Sequence, residues 1–375
     1  MSLTEDILRR DEELFFSDLD ITSKSSDNNS ETKLIADFTE YNPLHNGHFH
    51  CMKVAKSQVP DALFVAIVPG LFERSGRGIP YILPREIRAK IAISVGADVV
   101  VEGPPMGIMG SGQYSLSLAK MFKALNTDYI PRGYKEVPNF DLIMDRISEG
   151  HWIAPKPYKI IDKTVNEVLL RDKLEEDNYV IASFSNSLSK INFDYENKFI
   201  FVKRIGGVSG TLIRRSIAEN NFDKVKDMMP DKTIEVLKHE IANDNLIYNV
   251  RDEEAILNTV NTFDFDDLVS LNMFNERLAN TIFNNSPFDN VEEVQKVIGR
   301  GFSTHFSERI LSILEVPISK KVISEYIENY PAKIRVLDYK NGEVLEKFRK
   351  KVNNEIELFH LILQGLEDQI QHLKM

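Results

Sequence analysis

The spacing of apolar residues changes character along this chain. From residue 33 to about 222, short β-rich runs alternate with segments whose apolar residues recur every three or four positions. The runs at 34–38, 63–68, 99–102, 129–131, 180–182 and 199–202 predict strands, and the patterns at 85–95 and 116–125 predict helices between them. Strands alternating with helices predict an α/β fold, a Rossmann-like parallel sheet covered on both faces. In such sheets ligands bind beyond the carboxyl ends of the strands.

After residue 222 the pattern becomes helix upon helix, at 223–229, 252–260, 265–283, 291–298, 307–314 and 320–326. Pro331 interrupts it, and a short strand is expected near 333–338. Beyond it, Leu345, Phe348, Val352, Ile356, Phe359, Leu363, Leu366, Ile370 and Leu373 are spaced by three and four. They predict one helical stripe about four heptads long. Such a stripe suits a helix packed on its own domain or, alternatively, a homodimeric coiled coil. At the other end, a helix-like stretch at 5–16 precedes a polar run at 23–30. The expected organisation is an acidic extension and linker (1–32), an α/β domain (33–222) and a mainly helical C-terminal domain (223–375).

Composition narrows the classes. The hydrophobic content is 42%, which suits an ordinary globular core. A single cysteine, Cys51, excludes an intramolecular disulfide and a Cys-rich zinc site. A small buried side chain is the simplest role for it. The chain contains no uninterrupted apolar run long enough for a membrane span, and its first residues are acidic rather than basic and then apolar. A cytoplasmic setting with no membrane partner is expected. Net charge is -11, of which residues 1–31 contribute -6. That balance argues against a strongly basic nucleic-acid surface.

Candidate chemistry concentrates at Phe38-Thr39-Glu40-Tyr41-Asn42-Pro43-Leu44-His45-Asn46-Gly47-His48, between the first strand and the first following helix. Two imidazoles at a helix start lie where phosphates bind. Asn42-Pro43 shapes the turn out of the strand, and Gly47 allows oxygens to approach the backbone. Three histidines (His45, His48, His50) also raise the alternative of a metal site, although no cysteine or well-spaced carboxylate accompanies them. A second segment, Lys203-Arg204-Ile205-Gly206-Gly207-Val208-Ser209-Gly210-Thr211-Leu212-Ile213-Arg214, reads as strand, Gly-rich turn and helix. Its hydroxyls and helix-start N–H groups, backed by arginine, predict a second phosphate cradle. The two segments together point to cleavage of a nucleoside triphosphate between its α- and β-phosphates.

His-x-Gly-His with a downstream Ser-x-Thr-x-x-Arg resembles the HIGH-motif nucleotidyltransferase superfamily. The string Thr39-Glu40-Tyr41-Asn42-Pro43-Leu44-His45-Asn46-Gly47-His48 further resembles the tRNA(Met) cytidine acetate ligases. So do Phe72-Glu73-Arg74 with Pro84-Arg85-Glu86-Ile87-Arg88, Gly96-Ala97-Asp98-Val99-Val100-Val101-Glu102, and Ile334-Arg335-Val336-Leu337. The resemblance implies an ATP-dependent ligase that forms acetyl-AMP with Mg²⁺ and acetylates N4 of the wobble cytidine of elongator tRNA(Met). By position it implies His45 and His48 as catalytic groups. It also implies an ATP site from Thr39, Glu40, Tyr41, Asn42, Pro43, Gly47, Gly133, Asn186, Arg204, Ser209, Thr211 and Arg214. For Gly133 and Asn186, ordinary turn chemistry is the competing role, and for Arg204 a solvated strand-end charge.

The segment 299–309, where a basic stretch is expected by that resemblance, carries few basic residues here. ATP and acetate or another small carboxylate are therefore the first expected partners, followed by tRNA. Two alternatives stay open: transfer of AMP or CMP to a small phosphorylated metabolite, and a nucleotide-binding protein without catalysis.

Overall fold

The computed structural model describes residues 2–21, 30–219 and 221–359. It opens with α1 (Leu3–Leu19), β1 (Leu34–Phe38), α2 (Asn46–Gln58), β2 (Leu63–Pro69), α3 (Arg85–Ser94), β3 (Val99–Gly103), α4 (Ser111–Ala124) and β4 (Ile130–Tyr134). There follow α5 (Phe140–Ser148), a three-stranded unit of β5 (Ile153–Lys156), β6 (Lys159–Asp162) and β7 (Glu167–Leu170), then α6 (Glu176–Lys190), β8 (Phe199–Lys203) and α7 (Gly210–Ala218). The helical part comprises α8 (Asp231–Ala242), α9 (Glu253–Thr262), α10 (Phe265–Ser270), α11 (Glu276–Phe283), α12 (Val291–Gly299), α13 (Thr304–Glu315) and α14 (Lys320–Asn329). The described chain closes with β9 (Ile334–Tyr339), α15 (Gly342–Lys351) and β10 (Ile356–Leu358).

β1, β2 and β3 run parallel, with Ile35 beside Phe64 and Ile67 beside Val101. β4 and β8 form a second parallel pair, and it joins β1 through the Ala36 N–H, which donates to Tyr129 O at 2.9 Å. Side chains alternate across the sheet as a strand's period of two requires. Leu34, Ala36, Val65, Ile67, Val99 and Val101 face one core, with α1, α4, α6 and the helical region over them. Ile35, Phe64, Ala66, Val68 and Val100 face the other, with α2, α3, α7 and α8. Helices on both faces explain why β1 to β3 read as continuous apolar runs.

Several expectations need correction. Residues 180–182 are not a strand. They lie inside α6, whose buried positions Asn178, Ile181, Ala182, Ser185 and Leu188 follow a helical period. The single helix expected over 265–283 is broken between α10 and α11. There Met273 adopts φ 64° and Asn275 caps α11 by accepting from the Leu278 N–H. Residues 223–229 form two 3₁₀ turns rather than an α-helix. The long C-terminal stripe does not form one helix either. Asn353-Asn354 are poor helix formers, α15 stops at Lys351, and β10 pairs parallel to β9. The remainder of that stripe, and the homodimer expected through it, fall beyond residue 359, outside the described residues.

The N-terminal segment is more than an extension. Ser2 and Glu5 form a reciprocal capping box, and α1 buries Ile7, Leu8, Asp11 and Phe15. Most of the polar run at 23–30 lies outside the described residues. The late strand also has a different setting from the one expected. β9 pairs antiparallel to β3, matching Val99 with Tyr339, so the C-terminal region completes the α/β sheet. No helix among the described residues is long and apolar enough to cross a membrane.

Candidate active site

The loop from β1 to α2 is built to present two histidines. Tyr41 adopts φ 44°, and the Asn42–Pro43 peptide is cis. Asn42 Oδ1 accepts from the Ile82 N–H at 2.8 Å, which pins the turn to the segment before α3. His45 then caps α2: its Nδ1 accepts from the His48 N–H at 3.4 Å, and His48 Nδ1 accepts from the His45 N–H at 3.3 Å. The rings stack 3.7 Å apart and 7° from parallel, and Tyr41 meets His48 edge-on at 5.3 Å.

These bonds set the tautomers. A neutral imidazole whose Nδ1 accepts carries its proton on Nε2. Both rings therefore offer Nε2–H as a donor. Burial keeps them neutral. It pushes His45 down to about 4, assisted by the charges of Arg204 and Arg214. His48 is held well below the usual histidine range by burial, by His45 and by Arg204. Two neutral donors side by side at a helix N-terminus suit an anion.

A second helix start faces them. Ser209 caps α7 by accepting from the Leu212 N–H at 3.3 Å. A Cβ on Gly210 would lie 3.6 Å from His45 Nε2, which is ordinary contact distance, so the α7 start packs directly against the His45 ring. Arg214 ties the two starts together. It donates to Asn42 O at 2.9 Å and to Thr211 Oγ1 at 3.1 Å.

A cavity of about 240 Å³ opens beside the histidine pair. Of the predicted residues, Thr39, His45, Gly47, His48, Gly133 and Arg204 line it. Arg204 reaches over the Gly133 position, where a Cβ would meet its Cγ at 3.4 Å, and pairs with Asp177 on α6. Ser209, Thr211 and Arg214 stand at the α7 start rather than in the cavity wall. Tyr41, Asn42 and Pro43 shape the loop behind the histidines. Glu40 turns away from the cavity. Its Oε1 accepts from the Gly76 N–H at 3.0 Å, and its carbonyl accepts from Arg88 at 2.8 Å. Asn186 is also elsewhere: its Oδ1 accepts from the Trp152 indole at 2.8 Å, where β5 meets α6.

The cavity also holds groups that the sequence did not single out: Asp37, Arg132 and Asp177, with Val180 and Ile181 as apolar wall. Cys51, for which simple burial is expected, and His50 line it as well. Arg132 donates to Asp37 Oδ1 at 3.1 Å and to Phe38 O at 3.3 Å. Burial raises the Asp37 carboxyl to about 6 against the pull of Arg132. It raises the Cys51 thiol far out of the reactive range. The only sequence signal for Arg132 is its place beside Gly133. Asp177 has none, because its partners Arg204 and Lys135 come from other elements.

The two cavity carboxylates are both committed to cations: Asp37 to Arg132, Asp177 to Arg204 and Lys135. Among the described residues no group of three potential ligands could hold a metal ion. With both carboxylates paired, the cavity's own side chains offer a Mg²⁺ ion no unpaired carboxylate.

An α/β sheet with two helix starts converging on a neutral histidine pair defines a nucleotide-handling site. Residues 33–142 match the HIGH Nucleotidyl Transferase family, and residues 135–338, over half of the chain, match the family described as Cytidyltransferase-related C-terminal region, to which the chain belongs. An uncharacterized protein of Methanocaldococcus jannaschii is 44% identical over 343 residues, covering 90% of this chain and 94% of that one. The tRNA(Met) cytidine acetate ligase of Fervidobacterium nodosum is 24% identical, covering 83% of this chain and 80% of its own length. The crystal structure of Thermotoga maritima TmcAL bound with alpha-thio ATP superposes with a TM-score of 0.69 at 19% identity. The match spans 91% of this chain and 88% of that one, which shows a shared fold.

Proposed function

We propose that this chain is an ATP-dependent adenylating ligase that activates a small carboxylate, acetate first, and passes the acyl group to a tRNA cytidine. The carrying observation is the stacked pair of neutral imidazoles that cap α2 and face the start of α7. In the reaction a carboxylate oxygen attacks the α-phosphorus. The bond to the bridging oxygen breaks, and pyrophosphate leaves with the electron pair. Charge accumulates on the non-bridging oxygens, and the two Nε2–H donors would meet it there. Being neutral and fixed by their own backbone, they need no reorganisation as that charge develops. Arg204, the α7 N–H groups and the Thr211 hydroxyl would hold the β- and γ-phosphates. The relatives named tRNA(Met) cytidine acetate ligase support acetate as donor and a cytidine of tRNA(Met) as acceptor; the acceptor atom proposed is N4 of the wobble cytidine of elongator tRNA(Met).

One observation favours a different acceptor. A net charge of -11 is poor for RNA, whose binding rests on phosphate neutralisation. Pyrophosphate exchange separates the readings. Exchange that needs acetate supports the ligase, whereas exchange that needs a phosphate ester replaces it with a metabolite nucleotidyltransferase. Mass spectrometry of tRNA nucleosides from a strain lacking the gene then tests the acceptor. Loss of acetylated cytidine is expected, and an unchanged level would remove tRNA from the proposal.

A further inference from the structure

Five arginines are buried among the described residues: Arg74, Arg85, Arg88, Arg132 and Arg335. Four of them aim every guanidinium nitrogen at an acceptor, although the Arg85 Nε makes no hydrogen bond with the carboxylate it faces. Arg74 spends Nε and Nη2 on Glu315 and Nη1 on Glu73 O. Arg88 bonds Leu83 O, Glu40 O, Pro69 O and Glu73. Arg335 bonds Glu357, Glu102 and Asp18. In Arg85 both Nη atoms reach Asp11, Nη1 also reaches Glu73, and Nε lies 2.6 Å from Glu102 Oε1.

Arg132 differs. Only Nη1 makes hydrogen bonds, to Asp37 and Phe38 O, while the guanidinium face lies over the Phe184 ring at 5.0 Å. Its Nε is buried without a hydrogen-bond partner, and the hydrogen bonds and ion pair of this arginine among the described residues all run through Nη1. The residue is 8% exposed and lines the cavity that holds the histidine pair. A guanidinium presents Nε–H and one Nη2–H as a parallel fork that matches the two oxygens of a carboxylate. Leaving such an edge unpaired in a dry site is costly unless a ligand completes it.

We propose that the Nε–Nη2 edge of Arg132 is the carboxylate subsite for the acyl donor, an assignment that rests on the ligase reading above. Asp37 and Phe38 O position the guanidinium by holding its far corner. Each carboxylate oxygen gives one lone pair to the fork and keeps another, and one oxygen attacks the α-phosphorus as pyrophosphate departs. Ile181, Val202 and Cys51 line the same cavity and give a short acyl chain an apolar wall.

The test is ATP–pyrophosphate exchange with acetate as the probe, in the wild type, Arg132→Lys, Arg132→Met and the double variant Asp37→Asn/Arg132→Met. The double variant removes the charge that the single Met change would strand. Each protein is first checked for ATP binding by calorimetry. The KM for acetate should rise about 10- to 100-fold in both Met variants, the scale of a charged hydrogen-bonded pair, and less in the Lys variant. The KM for ATP should stay within about twofold of wild type. An unchanged acetate KM, or acetate and ATP KM values rising together, overturns the assignment and leaves the ligase reading standing. Wild-type exchange that responds to no carboxylate overturns both.

Discussion

Two clusters of buried charge lie at the carboxyl ends of the same sheet, and they are finished to different degrees. Around β2 and β3, Asp11, Glu73 and Glu102 are answered by Arg85, Arg88 and Arg335. Beyond them Arg74, Arg251 and Glu315 tie the helical region to the loop after β2. Around β1, β4 and β8, the His45–His48 pair, Arg132 and Arg204 keep donors turned toward a cavity. The closed cluster joins α1, the sheet and the helical region into one body. Its charges are answered chiefly within the protein. The open cluster is left incomplete by its own protein partners, which is the condition for binding.

That contrast can be broken from either side. The largest effect is expected in the closed cluster. Arg85→Met would leave Asp11, Glu73 and Glu102 each one charged partner short in a dry site, and chemical denaturation should show a loss of about 3–5 kcal/mol. A change below 1 kcal/mol would mean that the cluster is not structural. Next, Arg214→Ala removes the bond from α7 to the cis-proline loop at Asn42 O and the bond to Thr211 within α7. Exchange activity should fall about tenfold or more while the melting temperature drops by only a few degrees. An unchanged rate would separate α7 from the histidine site.

pH offers a milder probe. His45 and His48 titrate lower when folded than unfolded. Below about pH 6.5 the unfolded chain takes up protons that the folded chain refuses, so stability should decline as pH falls from there toward 4. Removing the imidazole in His48→Ala should flatten that decline in a pH series of melting curves. An identical slope would contradict the buried neutral pair. The smallest effect belongs to the surface. Lys203 and Glu136 form an exposed ion pair, and Glu136→Gln should leave melting temperature and exchange rate unchanged.

The sequence made the strand order's core and the histidine loop legible because both are local. His45, Gly47 and His48 sit within four positions, and β1 to β3 each announce themselves by a dense apolar run. What escaped was non-local. Val180-Ile181 read as strand until packing against β4 and β5 selected the helical period of α6. Nothing in the local spacing of Arg85 and Arg88 shows their acidic partners, which lie at Asp11, Glu73 and Glu102 and draw them inside. The open edge of Arg132 is defined by an absent partner, which no spacing rule can reveal. The bond from the Trp152 indole to Asn186 Oδ1 joins two elements far apart in the chain, which no local motif reveals.

The most direct test of the account is ATP–pyrophosphate exchange by the purified wild type and by His48→Ala, each with and without acetate. Acetate-dependent exchange in the wild type, reduced about 10²-fold or more in the variant with its fold intact, is the predicted result. Full exchange by His48→Ala would contradict it.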